Sequence, residues 1–338
     1  MKRANEALIR EALSVRGRAS KAELARDTGL SLTTVGQVLA AMEADAELRL
    51  RGFNESSGGR KAAAYELNPD ACVVYAVAVE RDRLDWAIAN ALGTVVADGT
   101  RIVRRDPVEE AADLVLTLKE DPIGGKRPSR GALALGLPGA VQGGRVLTGF
   151  LEERWRDADI ELFFMERTGL PVVAENDVNA AALGFARRSE SEGRPVHSIV
   201  YLFTTSDCTG SGIVCGGRVL RGALNFAGEL GLMPVRPSAT FDEALAEAAG
   251  PAEYAAVYAG ALAALNCVIN PALVVVGGPS FRYDLSDAVA AEFAVRVDAA
   301  VRPALVFERE TRPHYLYGLC GLGTEELFPS FRLVEKRS

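Results

Sequence analysis

Two stretches of this chain read alike. Residues 73–80 (VVYAVAVE) lead through Arg81-Asp82-Arg83 into LDWAIAN and GTVVAD, and from Ser198 the run SIVYLFTT leads into SGIVCGG and RVLRGAL. An apolar, β-rich run followed by a short polar turn and a second such run is the pattern of an antiparallel hairpin. After the first hairpin the spacing predicts a helix over 108–118, a strand in GALALGLPGAV, a helix over 159–169, a strand in LPVVAEN and a helix in DVNAAALGFARR. After the second come helices within 241–268 and the strand ALVVVGG. Two α/β halves that each open on a hairpin fit a two-lobed architecture better than a Rossmann sheet.

Residues 5–45 are of another kind, with three helical patterns in quick succession. Ala7, Leu8, Ile9 and Leu13 form the apolar stripe of the first, which ends at Gly17. Ser20 caps the second, with Glu23 completing a capping box, and Ser31 caps the third, which runs from about Leu32 to Asp45. Ala25, Gly29 and Val35 stand four and six residues apart. A small residue for close approach, a glycine for a left-handed turn and a packing valine make the helix-turn-helix spacing, whose second helix enters the major groove. Ser31, Thr33, Thr34 and Gln37 are then the candidates to meet bases or phosphates. An ordinary three-helix bundle is the alternative. Two short strands, LRLRGF and AAAYEL, flank NESSGGRK in the layout of a wing, with Arg60 set to reach a minor groove and Lys61 a phosphate. Asn68-Pro69-Asp70 closes this head.

Charge supports the division. Residues 1–70 carry eleven Lys/Arg against ten Asp/Glu, while the whole chain has a net charge of −7, so polyanion contact is confined to the head. The five cysteines are far apart and there are two histidines, which supports neither a disulfide framework nor a zinc site. No metal or cofactor is expected. The apolar run 255–276 is broken by Asn266, Asn270 and Pro271 and reads as a core helix and strand, so no membrane contact and a cytoplasmic location are expected.

From Asn5 to about Phe328 the chain resembles the ROK family (repressors, open reading frames and kinases), in its repressor branch. The resemblance rests on the winged head with Gly59-Arg60, on Gly136-Leu-Pro-Gly139, Glu175-Asn-Asp-Val-Asn179, Ala227-Gly-Glu-Leu-Gly231 and Val276-Gly-Gly278, in this order and spacing. It implies an α/β fold: an N-terminal winged helix-turn-helix followed by a two-lobed actin-like, sugar kinase-like (ribonuclease H-like) ATPase fold. The divisions expected are 1–68 for the head, 69–190 for the first lobe and 191–338 for the second, with a C-terminal helix that packs back on the first lobe. In the family's kinases ATP and sugar share the interlobe cleft, and the Asp of the Asn-Asp pair is the general base. Asp177 holds that position, and a helix N-cap is the other role its sequence context suggests. Pro138, Gly139, Asn176, Asp177 and Glu229 match positions that bind sugar hydroxyls.

The chain departs from the kinases on the phosphate side. Where the first phosphate turn reads Asp-x-Gly-x-Thr, this sequence has Ala78-Val-Glu80-Arg81-Asp82. Where the second reads Gly-Thr-Gly-Ile-Gly-Ala-Gly, it has Ser206-Asp207-Cys208-Thr209-Gly210-Ser211-Gly212. Asp207 sets a carboxylate beside any polyphosphate, and like charges about 4 Å apart repel by roughly 1–4 kcal/mol. On the sugar side Leu232 replaces the His of Glu-x-Gly-His, the zinc loop is replaced by RPSATFDEAL, and the family's Asn shortly before Trp155 is missing, with Leu151 and Glu152 nearby. The expectation is a DNA-binding regulator, not an enzyme, whose body senses a sugar, a polyol or a sugar phosphate, or serves only to dimerise. Its expected partners are a double-stranded operator, a sugar or sugar-phosphate effector, and other copies of itself in a homodimer or higher homo-oligomer. An active carbohydrate kinase with an added DNA-binding domain is the competing expectation.

Overall fold

The computed structural model describes residues 2–53, 63–120, 128, 130–147, 155–156 and 158–328. The head comprises α1 (Lys2–Arg16), β1 (Ala19–Ser20), α2 (Lys21–Thr28), α3 (Leu32–Ala44), β2 (Leu48–Phe53) and β3 (Ala63–Leu67). Ser20 and Glu23 form the reciprocal capping box, and Gly29 ends α2 at φ +70°, where a Cβ would be strained. Ile9, Leu13, Leu24, Val35, Leu39 and Met42 close a small core of their own. The two strands expected around the wing gain a third, since β1 pairs antiparallel with β3.

The first lobe contains β4 (Val73–Val79), β5 (Arg83–Asn90), β6 (Val95–Ile102), α4 (Pro107–Glu120), β7 (Gly131–Leu137), β8 (Val141–Gln142), β9 (Arg145–Val146), α5 (Ile160–Thr168), β10 (Val172–Asn176) and α6 (Asp177–Ser191). The second contains β11 (Ser198–Thr204), β12 (Thr209–Cys215), β13 (Arg218–Val219), β14 (Pro234–Arg236), β15 (Ala239–Thr240), α7 (Phe241–Ala246), α8 (Pro251–Ile269), β16 (Leu273–Gly277), α9 (Ser286–Arg296), β17 (Ala304–Glu308) and α10 (Arg312–Leu327). The sheets run β6-β5-β4-β7-β10 and β13-β12-β11-β16-β17, each an antiparallel three-strand meander continued by two parallel strands. The internal repeat seen in the sequence is therefore a repeat of topology. The strand expected over RVLRGAL stops after Val219, because Gly222 (φ +70°) and Asn225 (φ +54°) bend the chain away. Helix α8 is long and apolar enough to cross a membrane, but half of it is buried and it belongs to the core of the second lobe.

A separate core lies between the sheets. Along β4, Val73, Tyr75, Val77 and Val79 face a cluster with α4 and α5, while Val74, Ala76 and Ala78 face α10. The small residues let the helix come close. Helices α6 and α10 touch backbone to backbone: a Cβ on Gly184 would overlap the His314 carbonyl, and one on Gly318 would overlap the Ala180 carbonyl. On their outer sides Gly212 of β12 accommodates the Val178 carbonyl, and Gly323 of α10 accommodates Val74.

The head is tied to this body through buried Glu47, which pairs with Arg10 of α1 and with Arg130 before β7, both at 2.7 Å. Asn68 adds hydrogen bonds to the carbonyls of Glu47 and Ala46, each at 2.8 Å.

Gly318→Ala is expected to destabilise the protein by at least about 1–3 kcal/mol in urea unfolding, because neither backbone can yield. Gly260→Ala in α8, where nothing lies within 4 Å of the added Cβ, is the control and is expected to be neutral or stabilising by up to about 1 kcal/mol.

Candidate functional site

Strand β10 and the start of α6 deliver Glu175, Asn176 and Asp177 to the mouth between the lobes. Buried Glu175 accepts from the Asn176 amide at 3.0 Å and from Asn179 Nδ2 at 3.1 Å, and its other oxygen pairs with Arg221 of the second lobe. Asn176 accepts from the Asn179 amide at 3.0 Å and donates to the Gly139 carbonyl at 2.9 Å and to Asp177 Oδ1 at 2.8 Å. The N-cap of α6 is thus Asn176 and not Asp177, which is the first helical residue. The carboxamide has both an acceptor and a donor, so it caps the helix while holding the Pro138-Gly139 turn; a carboxylate cannot do both. Gly139 itself sits at φ +90°.

From the second lobe, Gly228 accepts from the Ser211 amide at 2.7 Å and from its hydroxyl at 3.0 Å, which pins the turn bearing Glu229 to β12. Gly139, Asn176, Asp177 and Glu229 are so brought to one place, with Pro138 beside them. Burial pushes the Asp177 carboxyl up to about 6, the Val178 amide opposes this, and Glu229 adds to it. Burial and then Asp177 push Glu80, at the end of β4, up to about 7. Glu229 is raised by burial and by Asp242. Among the described residues no group of three or more His, Cys, Asp or Glu side chains is arranged to hold a metal ion.

The turns after β4 and after β11 hold each other. Arg81 in the first pairs with Asp207 in the second at 3.3 Å, across the lobes. Thr205 Oγ1 accepts from the amides of Asp207 at 3.2 Å and Cys208 at 3.1 Å, and the Thr209 amide donates to Asp242 at 3.0 Å. Three successive N–H groups of this turn therefore already have acceptors within the protein. Gly278, at φ +111°, lies so close to Thr204 that a Cβ would overlap its backbone, so the glycine pair at the end of β16 packs against β11.

Between the turns and α10 lies a cavity of about 40 Å³ lined by Glu80, Asp85, Asp177, Phe203, Arg312 and Tyr315, among others. That is room for a few waters, well below the roughly 300–1,000 Å³ of ordinary ligand pockets. Arg312 donates to Asp85 at 2.8 Å, to Asp98 at 3.1 Å and to the Gly99 carbonyl at 2.9 Å. The hydroxyl of Tyr315, lying over Gly136, and Asn179 Oδ1 are buried with no hydrogen-bond partner among the described residues. Arg221, Arg312 and Tyr315 were not singled out from the sequence. Arg312 and Asp85 are 227 residues apart, so no local spacing reveals them.

In the head, Ser31 caps α3 through the Thr34 amide at 3.1 Å and touches the Thr34 hydroxyl at 2.9 Å. Thr33 and Gln37 are exposed and Thr34 is half-buried. Arg60 and Lys61, like Leu151 and Glu152, lie outside the described residues.

Unfolded, Asp177 and Glu80 ionise near their ordinary values of 3.8 and 4.5; folded, they hold protons to about pH 6 and 7. The native state then binds more protons across that window, so their contribution to stability falls as pH rises from about 4 to 7 and stays low above it. Asp177→Asn and Glu80→Gln are each expected to gain about 1–3 kcal/mol on wild type between pH 4.5 and 8 in urea unfolding. A difference that does not change with pH refutes the burial of these carboxyls.

Residues 74–244 match the family model of the ROK family. The xylose repressor of Bacillus subtilis (strain 168) is 25% identical over 238 residues, 70% of this chain and 61% of the repressor. The chain therefore matches only about three fifths of the length of such curated relatives. A crystal structure described as a ROK family transcriptional regulator, homolog of the E. coli MLC protein, aligns with a TM-score of 0.76 at 17% identity, covering 97% of this chain and 98% of that one. The ROK hexokinase from Thermus thermophilus aligns with a TM-score of 0.59 at 20% identity, covering 73% of this chain and 97% of that one. The fold is accordingly a mixed α/β fold of the ROK sugar-kinase type.

Proposed function

Because the chain belongs to the ROK family, whose model matches just over half of it, we propose that it is a transcriptional repressor that senses a sugar-class molecule between its lobes and has no kinase activity. The observation that carries the proposal is the head. Its α2–Gly29–α3 unit exposes Thr33 and Gln37 on a capped helix and is fused to a ROK body. The hexokinase fold covers 73% of this chain and the regulator fold 97%, a difference of about the head's size.

In this reading the head is a winged helix-turn-helix. Helix α3 lies in the major groove with Ser31, Thr33, Thr34 and Gln37 at the DNA, while Arg60 and Lys61 reach from the wing. Two copies related by a two-fold axis set their heads on half-sites about one helical turn apart, in the cytoplasm where the operator is. In the body, Asp177 and Glu229 accept hydroxyl donors from the effector, Asn176 and the Pro138-Gly139 turn frame it, and lobe closure changes head spacing. The tie from Arg81 to Asp207 and the internally bonded amides of the second turn support loss of phosphoryl transfer. Xylose is the first effector to try, since the Bacillus subtilis relative is named for it.

Anisotropy binding to duplexes from the gene's own upstream region tests the head. Gln37→Ala is expected to weaken specific binding by about 1–3 kcal/mol with unchanged thermal stability. Xylose is expected to lower wild-type affinity and to lose this effect in Asp177→Ala and Glu229→Ala. Steady ATP turnover with xylose or glucose refutes the loss of catalysis, and absence of specific DNA binding refutes the repressor.

A further inference from the structure

A much roomier cavity, of about 610 Å³, lies where the head meets the body. The head contributes Arg10 and Ser14 of α1 with Arg49 and Arg51 of β2; the body contributes Leu92 of the β5–β6 turn, Arg187 of α6 and Phe328 just after α10. This volume falls within the range of small-molecule sites. Its lining carries four guanidinium groups and two carboxylates, Glu66 and Glu325.

The arginines are held in place. Arg10 pairs with Glu47 at 2.7 Å, Arg51 with Glu66 at 2.7 Å and Arg187 with Glu325 at 2.5 Å, while Arg49 pairs with Asp70. Each guanidinium has five N–H donors in a fixed fork, so the carboxylate contact, with a second one from Arg187 to the Gly318 carbonyl at 3.3 Å, leaves others available. Arg51 uses its Nε on Glu66, and its side chain is 60% exposed. Phe328 supplies an aromatic face, with Arg10 stacked at 4.4 Å from the ring centre. Prefixed cations beside apolar side chains suit an organic molecule with a carboxylate or phosphate group.

We propose that this junction cavity is a second ligand site, separate from the interlobe cleft, and that it takes a small organic anion. An occupant touches both head and body, so it favours the head orientation that completes its contacts. Its effect on operator affinity rests on the repressor reading; the binding itself does not.

Calorimetric titration of the full chain with citrate and with glucose 6-phosphate, against uncharged glucose, tests the site. At least one anion is expected to bind in a way glucose does not reproduce. Arg51→Ala should weaken it about tenfold, Ser14→Trp should abolish it by filling the space, and Asp177→Asn should leave it unchanged. Circular dichroism confirms that the variants fold. Failure of both anions to bind, or binding that survives both junction substitutions, overturns the proposal. Anion binding without any specific DNA binding leaves the site standing and overturns the repressor reading instead.

Discussion

Backbone contact between α6 and α10 is the constraint on which the arrangement of both lobes depends. The carbonyls of Ala180 and His314 occupy the places where Gly318 and Gly184 would carry a Cβ. Such approach maximises close-packed contact and tolerates no intervening methyl group. The same pair of helices fills the space between the sheets, α6 against Gly212 and α10 against Gly136 and, at its own Gly323, against Val74. One packed layer thereby sets Asp177, at the start of α6, near Tyr315 of α10. Helix α10, about 24 Å long at 1.5 Å per residue, runs from Arg312 at the cleft to Phe328 at the head–body junction.

The cleft is held by charges on the protein itself. Arg81 faces Asp207, Arg221 faces Glu175 and Arg312 faces Asp85. The Arg81 pair is well exposed on both sides and contributes at most about 1 kcal/mol. It matters more for where it stands, between two turns that in the kinases of this fold meet the nucleotide. The acids Glu80, Asp177 and Glu229 are shifted toward their protonated forms first by burial and then by a neighbouring carboxylate, Asp177 for Glu80, Glu229 for Asp177 and Asp242 for Glu229.

Much of the local structure was legible before any fold was known. The Ser20–Glu23 capping box, the left-handed Gly29, the Ser31 cap and the paired hairpins all depend on residues a few positions apart. The site was partly legible: the motifs carrying Gly139, Asn176, Asp177 and Glu229 do converge. Asp177 was misjudged as a cap because Asn and Asp are nearly equal N-caps, and what separates them is the Gly139 carbonyl 37 residues away. Strand β17 and helix α9 carried no strong periodicity, being set at the edge of a sheet and on its outer face.

By itself the sequence determined most of the elements, the duplicated order of the strands, the separate character of the head and which residues stand in the two turns. These follow from short-range hydrogen bonding, side-chain periodicity and residue identity. Only the tertiary structure decided which glycines are contact points between helices, that Arg221 and Arg312 close the cleft, and that the roomier cavity lies at the head–body junction. Those features are made by residues up to 227 positions apart. Their proximity comes from packing the whole chain, and no local pattern encodes it.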